Sequence, residues 1–148
     1  MFFGTYDPQW QPRVEELRDG LAALGHEVVL CHARPDPTAW PRILLASRRI
    51  AQPDVVVVGP PGRLAVHLAR LRWRLSRIVL DRTVWSPDPQ SRADRTAVRR
   101  ADVVMVGAEP LQAASAITEP YKAVLVPDGG PGVDRLAARL VNVPAVPF

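Results

Sequence analysis

The sequence predicts an α/β fold, with a single doubly wound parallel sheet of about six strands and helices on both faces. Three observations predict it. Short, continuously apolar, β-branched runs recur along the whole chain, as strands covered on both faces require. Stretches with apolar residues at helical spacing separate them. The first unit is also punctuated in order: Phe2-Phe3, a Gly4-Thr5-Tyr6-Asp7 loop, a helix, Gly25-His26-Glu27, then Val28-Val29-Leu30-Cys31.

Each element has its own local reason. The first strand is Met1–Phe3. The helix Arg13–Leu24 carries Val14, Leu17, Leu21 and Leu24 on one face, and Pro12 suits its start because the missing N–H would be unpaired there. Gly25 suits the left-handed residue just past its end. Further strands are expected at Glu27–Cys31, Asp54–Val58, Arg77–Leu80, Asp102–Val106 and Tyr121–Val126. Helices are expected at about Thr38–Ile50, Gly62–Arg74, Ser91–Ala101 and Glu109–Ile117, with right-handed crossovers between parallel strands. The whole reads as one Rossmann-like domain over residues 1–132. Asp128–Gly132 reads as a hinge or linker, and residues 133–148 as a tail or linker remnant. A buried strand usually has about five residues, and the first has only Met1–Phe3 before its glycine. The end past Val133 adds no further unit, so both ends read as cut from a longer chain.

The bulk numbers bound the function. With 148 residues, the chain is long enough for one domain with a real core. Its net charge is +4, and all 19 basic residues except Lys122 are Arg. No apolar run approaches the ~20 residues of a membrane span. The single cysteine, Cys31, allows no internal disulfide and fits a reducing cytoplasm. His26, His32 and His67 lack metal-site spacing, so neither a metal nor a cofactor is expected. No Ser sits in a G-x-S-x-G elbow, Asp54 opens its strand rather than ending it, and no nucleic-acid motif accompanies the positive charge.

Ligands of parallel sheets bind at the carboxyl ends of the strands, so the loops there hold the candidates. Gly4, Thr5 and Asp7 follow the first strand, where backbone N–H groups can meet an anion; a plain βα turn is the alternative. Gly59-Pro60-Pro61-Gly62 is a second such loop, either a rigid turn or a close backbone approach to substrate through Gly59 and Gly62. Asp81 follows Ile78-Val79-Leu80 and is the candidate catalytic carboxylate, as a base or a partner for a hydroxyl. A salt bridge to Arg82, or contact with the Ser86–Asp88 loop, is the competing role. Glu109, before Pro110, either complements a helix N-terminus or joins the substrate-binding set.

Along the helix after Gly62, Arg63, His67, Arg70, Arg74 and Arg77 recur at alternating spacings of four and three, a continuous basic stripe. Leu64, Leu68, Leu71 and Leu75 form a parallel stripe expected to face the core, and Trp73 reads as an interfacial aromatic. Such a helix suits contact with anionic lipid, or is an ordinary solvated face. Trp40-Pro41-Arg42 with Arg48-Arg49 forms a second basic-aromatic patch.

Taken together, Phe3–Asp7, Pro12-Arg13-Val14, Gly20-Leu21 through Val28, Asp54–Gly59 with Pro61-Gly62, Arg100–Val104, Glu109 and Val124–Gly129 resemble the N-terminal, acceptor-side domain of a GT-B fold, family 4-like glycosyltransferase. The resemblance implies that the loops at Gly4–Asp7, Gly59–Gly62 and Asp81 face an interdomain cleft, and that Val126–Gly132 starts the linker. It implies a sugar or lipid-linked acceptor at the cytoplasmic membrane face and a nucleotide-sugar donor. The chain lacks the Glu-x7-Glu donor motif of such enzymes. Catalysis would therefore need a separately encoded or further donor-binding domain. The alternatives are a non-catalytic module that binds anionic lipid or a protein, or a degenerate fragment. Self-association is also expected, to cover the cleft face and the apolar tail Val141–Phe148.

Overall fold

The computed structural model describes residues 1–6, 12–59, 62–82, 92–107, 120–126 and 130–142. It is an α/β fold with a six-stranded, all-parallel sheet in the order β2-β1-β3-β4-β5-β6. The strands are β1 (Phe2–Thr5), β2 (Leu30–Ala33), β3 (Val55–Val58), β4 (Arg77–Arg82), β5 (Val103–Val106) and β6 (Ala123–Leu125). The helices are α1 (Pro12–Ala23), α2 (Ala39–Ser47), α3 (Gly62–Arg72), α4 (Arg92–Arg100) and α5 (Gly130–Asn142). A 3-10 turn, Pro120–Lys122, leads into β6.

One handedness of crossover accounts for the layers. The connection from β1 moves outward to β2, whereas those from β2, β3 and β4 move the opposite way across the sheet. Chains crossing in opposite directions with the same hand must pass on opposite faces. Accordingly α1 lies on one face with α5, and α2, α3 and α4 lie on the other. Alternate strand residues feed the two cores. Phe2, Val57, Val79, Val103 and Met105 pack with Leu17, Leu21, Val133 and Leu136 on the α1–α5 side. Phe3, Val56, Val58, Ile78, Leu80, Val104 and Val106 pack with Ile43, Ala65, Val66, Ala69 and Trp73 on the other.

Several boundaries differ from those expected. β1 does not stop at Phe3: Gly4 and Thr5 continue the ladder opposite His32 and Ala33, with Gly4 at φ +139. β2 lies three residues later than Glu27, because its register with β1 starts at Phe2↔Leu30. Val28 and Val29 are half-buried, and the Val29 carbonyl accepts from Phe2 N at 2.9 Å just before the strand begins. β4 runs on through Asp81 and Arg82, paired with Met105 and Val106, since backbone pairing continues past the apolar side chains. Gly25 ends α1 at φ +88, as expected. The regions 83–91, 108–119 and 143–148, including the expected helix from Glu109 to Ile117 and the tail end, lie outside the described residues.

Helix α5 crosses the boundary expected between residues 132 and 133. Val133 and Leu136 are buried against α1 and the sheet, so residues up to Asn142 belong to the folded layer rather than to a tail. The helices α1 and α5 approach closely at Gly20, where an added Cβ would lie 2.6 Å from Val133 Cγ2. Overpacking of this kind costs about 1–3 kcal/mol, and replacing a helical glycine by alanine returns about 1 kcal/mol. Gly20→Ala should therefore destabilise the fold by about 1 kcal/mol in urea melts, yet stabilise it in a Val133→Ala background, where the methyls are gone. A stabilising Gly20→Ala in the parent chain would contradict this packing.

Candidate functional site

In an open parallel sheet, a crevice opens where successive connections leave in opposite directions. Here that point falls between β1 and β3. The registers define what lies across it. Gly4 pairs with His32, while Phe3↔Val58 and Val58↔Leu80 put Gly4 beside Gly59 and Gly59 beside Asp81 one step on. The result is a single transverse row at the carboxyl rim, His32–Gly4–Gly59–Asp81. By strand alternation all four belong to the α1 side of the sheet.

The row has two bare positions between two functional side chains. Across three strand spacings, His32 and Asp81 stand about 14 Å apart at the backbone. Between them the floor is main chain: a Cβ placed on Gly4 would meet only Gly59 backbone, nearest at 3.5 Å. Behind the row, Phe2 and Val57 close the base, and Phe3, Thr5, Tyr6 and Val14 of α1 complete the lining. The half-open pocket there has a volume of about 30 Å³, room for one or two waters. A larger ligand would lie across this trough rather than inside it.

Gly4 is fixed here by its backbone, since φ +139 strains any residue with a side chain. His32 is held by stacking on Tyr6, with ring centroids 5.0 Å apart and planes 18° from parallel, and Tyr6 N donates to Ala33 O at 3.0 Å. His32 remains an exposed residue, but the part of its ring turned to this wall loses water, and that partial desolvation moves the imidazole below its ordinary pKa by penalising the charged ring. Sequence reasoning found Gly4, Thr5, Gly59 and Asp81 but missed His32. Its signal was available: a polar residue just after the apolar run of the second strand, at the carboxyl rim.

The remaining candidates separate from this row. Asp7 and Glu109 lie outside the described residues. Gly62 opens α3, where a Cβ would come within 2.9 Å of Leu80 Cδ1, so its small size lets the helix approach the sheet. The basic stripe divides. Arg63 and Arg74 are exposed. Arg70 is not on a solvated face: it pairs with Asp102 at 2.7 Å and donates to the Arg100 and Ser76 carbonyls, capping the end of α4. Asp102 in turn accepts from Ile78 N at 2.7 Å. Removing one member of such a largely buried pair costs about 3 kcal/mol, so Arg70 is a structural residue. Arg77 donates to Leu140 O and ties β4 to α5.

Among the described residues no cluster of His, Cys, Asp and Glu is suited to a metal ion, and no helix is long and apolar enough to cross a membrane. Compared with protein-family models, curated proteins and solved structures, the chain matches none.

The His32 environment sets a pH dependence. A folded pKa below the unfolded value of about 6.5 means that the unfolded chain takes up the proton first. Stability is thus full above about pH 6.5 and declines as the pH falls toward the folded pKa. An NMR titration should place the His32 midpoint below the ordinary histidine value of about 6.5, and His32→Asn should flatten the stability change between neutral and mildly acidic pH. A midpoint above the ordinary value would contradict the desolvated setting.

Proposed function

We propose that this chain is the acceptor-side half of a GT-B-type, sugar-nucleotide-dependent glycosyl transfer enzyme, with the acceptor lying across the row His32–Gly4–Gly59–Asp81. The observation that carries it is the row itself: a bare main-chain floor at the switch point, bounded by an imidazole and a carboxylate. A flat, hydroxyl-bearing ring can rest against two adjacent glycines as it cannot against side chains. Asp81 accepts a hydrogen bond from an acceptor hydroxyl and draws off its proton as that oxygen bonds to the sugar's anomeric carbon, while the bond from that carbon to the nucleoside diphosphate breaks and the diphosphate leaves with its electron pair on the donor side. His32 orients the far end of the acceptor. The donor-binding half of the cleft comes from another chain or a further segment, consistent with the lack of a Glu-x7-Glu motif in this one. The order and spacing of the sequence pieces shared with the glycosyltransferase pattern support the same reading.

A heteronuclear NMR titration with hexoses and nucleotide sugars tests it. The amides of Gly4, Thr5, His32, Gly59 and Asp81 should shift together. Gly59→Val should abolish those shifts while a thermal melt confirms that the fold is kept, since the first added atom, Cβ, finds room 3.8 Å from Thr5 O. Loss of a hydrogen bond to a charged group costs about 1.5–3 kcal/mol, so Asp81→Asn should weaken binding at least about tenfold. Binding that survives Gly59→Val, or shifts confined to the opposite rim, would contradict the proposal.

A further inference from the structure

Helix α3 turns small residues inward and large ones outward. Ala65, Val66 and Ala69 are fully buried, and Trp73 just past the helix is 1 % exposed, with its ring edge-on to Phe3 at 5.2 Å. Of the four leucines expected in the core, Leu68 packs against it, while the other three face solvent: Leu64 is 40 %, Leu71 58 % and Leu75 77 % exposed. On the neighbouring helix α2, Ala39, Ile43 and Ser47 point inward, and Leu44 and Leu45 lie outside them, Leu45 at 64 %. Arg72 donates to the Ser47, Arg48 and Ile50 carbonyls, locking the ends of the two helices side by side. Their outward leucines therefore share one surface.

Charge is segregated to the same surface. From Ala39 to Arg49 and from Gly62 to Arg77 there is no acidic residue, and Arg48, Arg49, Arg63, Arg72 and Arg74 are exposed there. The opposite layer is mixed, with exposed Glu15, Glu16, Asp19 and Asp134. A solvent-facing apolar surface needs an occupant. A second copy is disfavoured, because self-pairing through α3 would set Arg against Arg. A single partner helix needs a groove, whereas these leucines sit on the outer crests of two helices.

We propose that the α2–α3 face docks on an anionic lipid bilayer, with Leu45, Leu64, Leu71 and Leu75 entering the acyl boundary and Arg48, Arg49, Arg63 and Arg74 meeting lipid phosphates. This docking surface is independent of the acceptor row, which belongs to the other side of the sheet.

Vesicle co-sedimentation of the whole chain tests it. The protein should bind equimolar phosphatidylcholine–phosphatidylglycerol vesicles at least about tenfold more tightly than phosphatidylcholine alone, and lose that binding in high salt. The exposed positions allow variants that keep the fold, checked by thermal melts. Leu71→Ser with Leu75→Ser, and separately Arg63→Glu with Arg74→Glu, should each weaken binding at least about tenfold. Leu24→Ser, at an exposed leucine just past α1, should leave it unchanged. Absence of binding to the anionic vesicles would overturn the proposal, as would binding insensitive to both pairs of substitutions. So would a dimer in light scattering that the leucine pair dissolves, or capture of an acidic amphipathic peptide without vesicle binding.

Discussion

Every strand of the sheet runs the same way, and the rest of the molecule follows from that constraint. All carboxyl ends collect on one rim and all amino ends on the other. Each return connection must cross a face, so both faces are buried and each strand must supply apolar side chains to two cores at once. Phe2 and Phe3 do this on β1, between β2 and β3, one residue into each core. The two rims then diverge in chemistry. At the amino rim, Arg70, Asp102 and Arg77 are consumed in tying helix ends to strand starts. At the carboxyl rim, the switch between β1 and β3 leaves a trough whose walls carry His32 and Asp81.

The architecture was legible because its signals are local and redundant. Runs such as Val55–Val58 and Val103–Met105 leave little alternative to a strand buried on both faces, and Gly25 marks a helix end by its backbone freedom. Three of the four residues in the candidate row were legible for the same reason, since each directly follows or ends an apolar run. What sequence could not supply was lateral register. That Gly4, Gly59 and Asp81 lie side by side, and that His32 completes the row, depends on pairing between strands far apart in the chain.

The helix faces were misread for a different reason. Leucine spacing on α3 fits a core stripe, but the sheet accepts the smaller Ala65, Val66 and Ala69, which let the helix lie closer, while Trp73 fills the space at its end. Likewise, Arg70 and Arg77 fit a basic stripe by spacing, yet their partners Asp102 and Leu140 come from other elements. Periodicity identifies the faces of a helix; it does not say which one the sheet takes. The outcome is a molecule with two distinct sides, the His32–Gly4–Gly59–Asp81 row on the α1 side and a leucine–arginine surface on the α2–α3 side.

The central claim is that the trough between His32 and Asp81 is where this protein meets its ligand. The most direct measurement is a crystal structure after soaking with a hexose or a nucleotide sugar. The account predicts ligand density against the main chain of Gly4 and Gly59, with Asp81 hydrogen-bonded to a sugar hydroxyl. Density at the amino rim or on α3, with the trough empty, would contradict it.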